Sequence, residues 1–205
     1  MKAGPLAYPI VLAYGWRRSL IAFLAGAASA LALAPVNAWP ILFLTLPVLV
    51  WLVDGSAAAR WSGAWSAALA GWCFGFGYFL AGLYWVGYAF LVDAKTFGWL
   101  LPFAVIGLPA YLAIYTGLGL AAARLIWVRG PTRILAFAVM LTGAEWLRGH
   151  LLSGFPWNTF GYALTEPLAL AQSVTLVGVW GLTFLCFAIC ASPAVLADDI
   201  ADTPH

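Results

Sequence analysis

Long apolar runs, separated by short stretches rich in proline, glycine or charge, set the pattern of this chain. Six runs stand out, at 19–34, 40–53, 63–92, 97–128, 133–147 and 168–196. A helix that crosses a bilayer needs about 20 apolar residues. The pattern therefore predicts an all-α polytopic membrane protein with about six transmembrane helices over 1–197, followed by a short acidic tail at 198–205. The third and fourth runs are too long for one upright span. About 30 helical residues reach roughly 45 Å, against a hydrocarbon core of about 30 Å. Such helices must tilt, kink or project from the lipid, and Pro102 and Pro109 mark the expected kinks. Gly26, Ala30 and Ala34 repeat every four residues, and Gly71 and Gly75 form a GxxxG. Faces of this kind let helix backbones approach where lipid supplies no hydrophobic drive for association.

Composition agrees with lipid as the solvent. The chain is 65% hydrophobic and 8% charged, with a mean hydropathy of +0.98, whereas soluble domains carry about 25% charged residues. A net charge of +2 without a basic face excludes nucleic acid as a partner. Cys73, Cys186 and Cys190 all sit in apolar runs, and their odd number argues against a disulfide framework. Cys186 and Cys190 share a helix face but lack companion ligands, so they are expected to be small core residues. No metal or cofactor is expected. Arg17 and Arg18 before an apolar run that ends Ala32-Leu33-Ala34 imitate a cleavable signal. Pro35 disfavours cleavage there, and the segment is assigned as a membrane helix.

Charge sets the expected orientation. A cytoplasmic N-terminus puts Lys2, Arg17, Arg18, Arg60, Arg124, Arg129 and Arg133 inside and only Lys95 and Arg148 outside, seven against two. That asymmetry follows the positive-inside rule for an inner-membrane protein.

Three aromatic segments then fall on the outer side: "APVNAWP" at 34–40, "LYWVGY" at 83–88 and "SGFPWNTFGY" at 153–162. Trp39, Tyr84, Trp85 and Tyr88 suit an interfacial aromatic belt, and Tyr84 and Trp85 are also candidate substrate-binding residues. The third segment is different. Gly154, Pro156 and Gly161 break a helix, and irregular backbone at membrane depth must be buried in protein or line a cavity. Trp157 and Asn158 offer that cavity an indole N–H and an amide, which can orient a lipid headgroup or peptide at a mostly apolar site. Glu145 and Arg148, at i and i+3, can pair on the preceding helix. They would either brace the loop or offer Arg148 to a headgroup phosphate. His150 has no nearby nucleophile to activate.

Together, "LALAPVNAWP", "GWCFGFGYFLAGLYWVGYAF" and "EWLRGHLLSGFPWNTFGY" resemble bacterial apolipoprotein N-acyltransferase over essentially the whole chain. The resemblance implies transfer of an acyl chain from a phospholipid to the α-amino group of a lipoprotein's diacylglyceryl cysteine. The transfer would run through a thioester on an enzyme cysteine, which lies with a glutamate and a lysine in a nitrilase-like domain. Both substrates would arrive laterally through the membrane helices. It also implies that Trp157 is functionally important, with Glu145, Arg148, Gly154, Phe155, Pro156 and Tyr162 shaping the approach. The 205 residues stop after what would be the family's sixth helix, and none matches the catalytic triad. The expected role is thus a membrane part that guides phospholipid and lipoprotein to catalytic machinery outside these residues. A non-catalytic scaffold for a separate nitrilase-like chain is the alternative. A small transporter is disfavoured by the lack of repeats, of paired discontinuous helices and of charge at mid-membrane.

Overall fold

The computed structural model describes residues 7–56, 59–128, 130–152, 154–166 and 168–198. Lys2, Arg129, Ser153 and the tail beyond Asp198 lie outside them. The described residues form helices and no strand. Six helices build the bundle: α1 (Gly15–Ser29), α2 (Leu42–Asp54), α3 (Arg60–Leu83), α4 (Leu108–Leu125), α5 (Arg133–His150) and α6 (Val174–Ala191). Among the described residues, three helical stretches are long and apolar enough to cross a membrane: Arg60–Leu91, Ala94–Leu125 and Val174–Ala197. Trp39–Asp54 is apolar but shorter.

The two long runs are not continuous α-helices. The third tightens after Leu83 into the 3-10 segment Tyr84–Leu91. The fourth breaks into Ala94–Phe97, Gly98–Leu100 and a π turn, Phe103–Gly107, before α4 begins. That π turn lies between Pro102 and Pro109, where the kinks were expected. Each proline removes a donor and crowds the carbonyl four residues back, and a widened turn accommodates both. Pro109 itself sits in the first turn of α4, where no intrahelical donor is required. The sixth run is also divided: Leu168–Gln172 precedes α6, and Gly178 interrupts it with φ 67° and ψ 176°. The first run ends its α-helix at Ser29, so Ala34 lies beyond the small-residue face and is exposed.

The helices close a ring in the order α1–α3–α4–α5–α6–α2, with α3 packed most extensively on α4 and α1. Glycine makes these contacts possible. A Cβ on Gly26 would lie 1.9 Å from the Phe74 carbonyl oxygen, and one on Gly77 would lie 2.2 Å from that of Phe23. A Cβ on Gly71 would lie 2.8 Å from the Thr116 carbonyl oxygen of α4, and one on Gly75 would lie 2.8 Å from the Thr116 hydroxyl. Gly26→Ala must therefore separate α1 from α3. It is expected to destabilise the bundle by about 1–3 kcal/mol, read as a lower thermal midpoint in detergent. An unchanged midpoint would refute the close packing. Phe74, Tyr78, Phe79, Phe137 and Phe187 fill the interior, and all three cysteines are buried in α3 and α6. Outward, Leu44, Trp61, Trp65, Leu118 and Leu176 are largely exposed. A surface this apolar needs lipid around it.

The two ends differ. At one, Arg18 donates to the Leu52 carbonyl, Arg124 Nε to Ser56 Oγ at 2.7 Å, and Trp127 Nε1 to Asp54 at 2.9 Å. Arg133, fully buried, bridges Asp54 at 3.3 Å and both oxygens of Asp198 at 2.7 Å. Asp198, set apart as tail by the sequence pattern, is thus pinned to the bundle. The other end carries the aromatic segments.

Candidate functional site: a braced aromatic loop

The last turns of α5 place Glu145 and Arg148 one above the other, facing inward. Arg148 is only 1% exposed. Its guanidinium donates to Glu145 Oε2 at 3.0 Å, to the Trp157 carbonyl at 2.8 Å, to Thr159 Oγ1 at 3.4 Å and to the Phe155 carbonyl. It also lies over the Phe79 ring at 4.9 Å. One buried cation therefore gathers the chain that leaves α5 and folds it back onto the helix end. Glu145 neutralises that cation and accepts from the Phe160 amide at 3.4 Å. Of the two uses expected for Arg148, these contacts are those of a brace.

Local chemistry lets the loop turn so tightly. The Phe155 amide donates to the Arg148 carbonyl at 2.9 Å. Gly154 adopts φ +71°, and a Cβ there would lie 2.2 Å from the Gly149 carbonyl oxygen. Glycine alone meets both demands. Thr159 Oγ1 donates to the Pro156 carbonyl at 2.7 Å, and Tyr78 of α3 donates to the Asn158 carbonyl at 2.8 Å. Phe160 stacks on Tyr78 at 4.4 Å. Asn158, at φ +53°, places its amide where Gly82 lacks a side chain; a Cβ on Gly82 would lie 2.2 Å from Asn158 Nδ2.

With its backbone held on the inner side, the loop presents its aromatics outward. Trp157 stacks on Trp85 at 5.2 Å and 18°, and Phe155 packs against it at 5.2 Å with the rings tilted by 46°. Trp157 remains 48% exposed and Trp85 44%. Trp85 spends its indole N–H on the Gly82 carbonyl at 3.1 Å, which fixes the ring. Pro156 lies exposed beside them. The result is a rigid indole face on a braced loop. It suits an acyl chain or the apolar part of a lipid, since mostly apolar walls with few polar groups are the usual form of such sites.

The structure thus brings together Glu145, Arg148, Gly154, Phe155, Pro156, Trp157, Asn158 and Trp85. It leaves two of the expected residues apart. Tyr84 pairs edge-on with Tyr88, and Tyr162 lies exposed in the 3-10 turn Phe160–Leu164. Trp39 packs on Phe43, and exposed His150 stacks on Trp146 with Nδ1 near the Trp146 carbonyl. Tyr78, Phe79, Gly82, Thr159 and Phe160 escaped the sequence reading. A signal for two of them was present: Tyr78, Gly82 and Trp85 stand at i, i+4 and i+7, one stripe of a helix.

Comparison with known proteins places this arrangement. The family described as apolipoprotein N-acyltransferase N-terminal domain matches residues 25–192, a span that contains Trp85 and the whole braced loop. The chain belongs to this family. Among curated relatives, the apolipoprotein N-acyltransferase of Rhodopseudomonas palustris is 65% identical over 198 residues, which are 97% of this chain and 37% of that protein. The protein of the same name from Bradyrhizobium diazoefficiens is 61% identical over 197 residues, 96% of this chain and 37% of the relative. That of Rhizobium rhizogenes is 46% identical over 191 residues, 91% and 36% respectively. The chain therefore spans little more than a third of the length of these N-acyltransferases and matches their N-terminal part.

Proposed function

We propose that this chain is the lipid-handling membrane portion of an apolipoprotein N-acyltransferase of the bacterial inner membrane. It crosses the bilayer six times with its N-terminus in the cytoplasm. The observation that carries this reading is the exposed Trp85–Trp157 stack on a loop braced by Arg148, in a chain of this family. The basic cluster at one end and the aromatic loop at the other support the orientation, because lysine and arginine favour the cytoplasmic side.

In this reading the indole face receives the acyl chains of a phospholipid or a diacylglyceryl cysteine and hands them to the catalytic machinery. Gly154, Phe155, Pro156 and Asn158 shape the approach, and Glu145 and Arg148 act through the loop that they hold. The acyl-transfer chemistry belongs to the part of such proteins that these residues do not span. The chain's cysteines, buried within α3 and α6, are poorly placed for nucleophilic attack.

Binding of a fluorescent diacylglyceryl-cysteine peptide to the chain in nanodiscs tests the reading. Trp157→Ala is expected to weaken binding about tenfold, roughly 1.4 kcal/mol, with the helix content unchanged. Equal affinity in the two proteins would remove Trp157 from the site. The 205 residues alone are expected to leave that peptide unacylated, and product formation would move the chemistry onto this chain.

A further inference from the structure

A second apolar surface lies on the lipid-facing side of α3 and α4, away from the Trp157 loop. It is a groove of about 230 Å³. Trp65, Leu69 and Trp72 of α3 form one wall, and Ile114 and Leu118 of α4 the other. Gly117 brings the walls together, since a Cβ there would lie 2.9 Å from the Ala68 carbonyl oxygen. Trp72 is a fixed wall: it stacks on Phe76 at 5.2 Å and 7°, and its indole N–H donates to the Ala110 carbonyl at 3.0 Å. Trp65, by contrast, stands 76% exposed.

Two features identify the occupant. No lining residue carries a charge, and the Trp72 indole N–H is already used, so the groove suits a hydrocarbon chain rather than a headgroup or a peptide. Its stripe on α3 continues one turn back to Trp61, and the Arg60 guanidinium lies over that ring at 5.7 Å. This is the basic end of the bundle. There Arg133 spends its donors on Asp54 and Asp198, while Arg60 stays at the exposed rim. From Arg60 to Trp72 the axial distance is about 18 Å, the reach of a lipid chain below its phosphate. We propose that this groove binds one anionic phospholipid from the leaflet at the basic end, with a chain between Trp65 and Leu118 and its phosphate on Arg60. The proposal requires only that the bundle span the bilayer, and it stands apart from the acyl-transfer reading.

Native mass spectrometry of the full chain, washed in detergent and offered phosphatidylglycerol or phosphatidylcholine, tests this. Phosphatidylglycerol is expected to remain bound at one per chain. Arg60→Gln, which removes the cation, and Leu118→Trp, which fills the groove, should each lower its retention about fivefold or more. Circular dichroism should show unchanged helix content. Equal retention in all three proteins, or equal retention of phosphatidylcholine by the wild type, would overturn the proposal. Quenching by chain-brominated phosphatidylglycerol gives a readout that does not depend on those variants. The fluorescence lost should be clearly greater in the wild type than in Trp65→Phe, and an equal loss would also refute the site.

Discussion

Replacing Arg148 with methionine is expected to cost about 3–5 kcal/mol of stability and to release the aromatic loop. The size follows from what the guanidinium does in a buried setting. Without it, the Glu145 carboxylate loses its counter-charge, and the carbonyls of Phe155 and Trp157 lose their donor. Removing one member of a buried ion pair typically costs this much, because the remaining charge stays desolvated. Methionine would keep much of the packing on Phe79 and none of the hydrogen bonds. Arg148→Lys should rescue little, since a single ammonium cannot span two carbonyls and a carboxylate as a planar fork does. Thermal unfolding in detergent measures the loss, and hydrogen exchange across 154–160 locates it. If exchange there matched the wild type, the loop would be held by something other than Arg148.

Arg133→Met is the second large effect, at about 3 kcal/mol, the lower end of the range for broken buried pairs. Its guanidinium is fully buried, but Asp54 and Asp198 each keep some solvent contact, which offsets part of the penalty. The variant leaves two carboxylates facing each other and unties the segment after α6 from the ends of α2 and α5. Hydrogen exchange over 192–198 should rise ahead of the rest of the bundle. In a double-mutant cycle, Asp198→Asn should cost clearly less in the Arg133→Met background than in the wild type, because the two residues touch. Additive losses would mean that the bidentate pair carries no coupling.

These two arginines separate what was legible along the chain from what was not. Their positions near the ends of one apolar run were plain, as was the ability of Glu145 and Arg148 to pair at i and i+3. Their burial was not, because it is supplied by partners from other helices: Phe79 over Arg148, and Asp54 and Asp198 around Arg133. The loop shows the same division. Gly154, Pro156 and Gly161 announced a break in the helix. The close approach of the Gly149 carbonyl, which makes glycine necessary at 154, appears only when the turn is folded.

By itself the sequence determined the helical class, the lipid solvent, the interruptions near Pro102 and Pro109, the small-residue contacts at Gly26, Gly71 and Gly75, and the aromatic motif of the family. These follow from local periodicity and composition, which each stretch of chain carries on its own. Tertiary structure alone decided that the third run changes to a 3-10 segment at Tyr84, that Trp85 meets Trp157 while Tyr84 turns to Tyr88, and that Tyr78 and Gly82 seat the loop. It decided too that Arg148 spends its donors inward. The physical reason is common to all of them. Where a side chain near a helix end points, and whether its charge is buried, depends on which surfaces of distant segments close around it, and no local pattern encodes that.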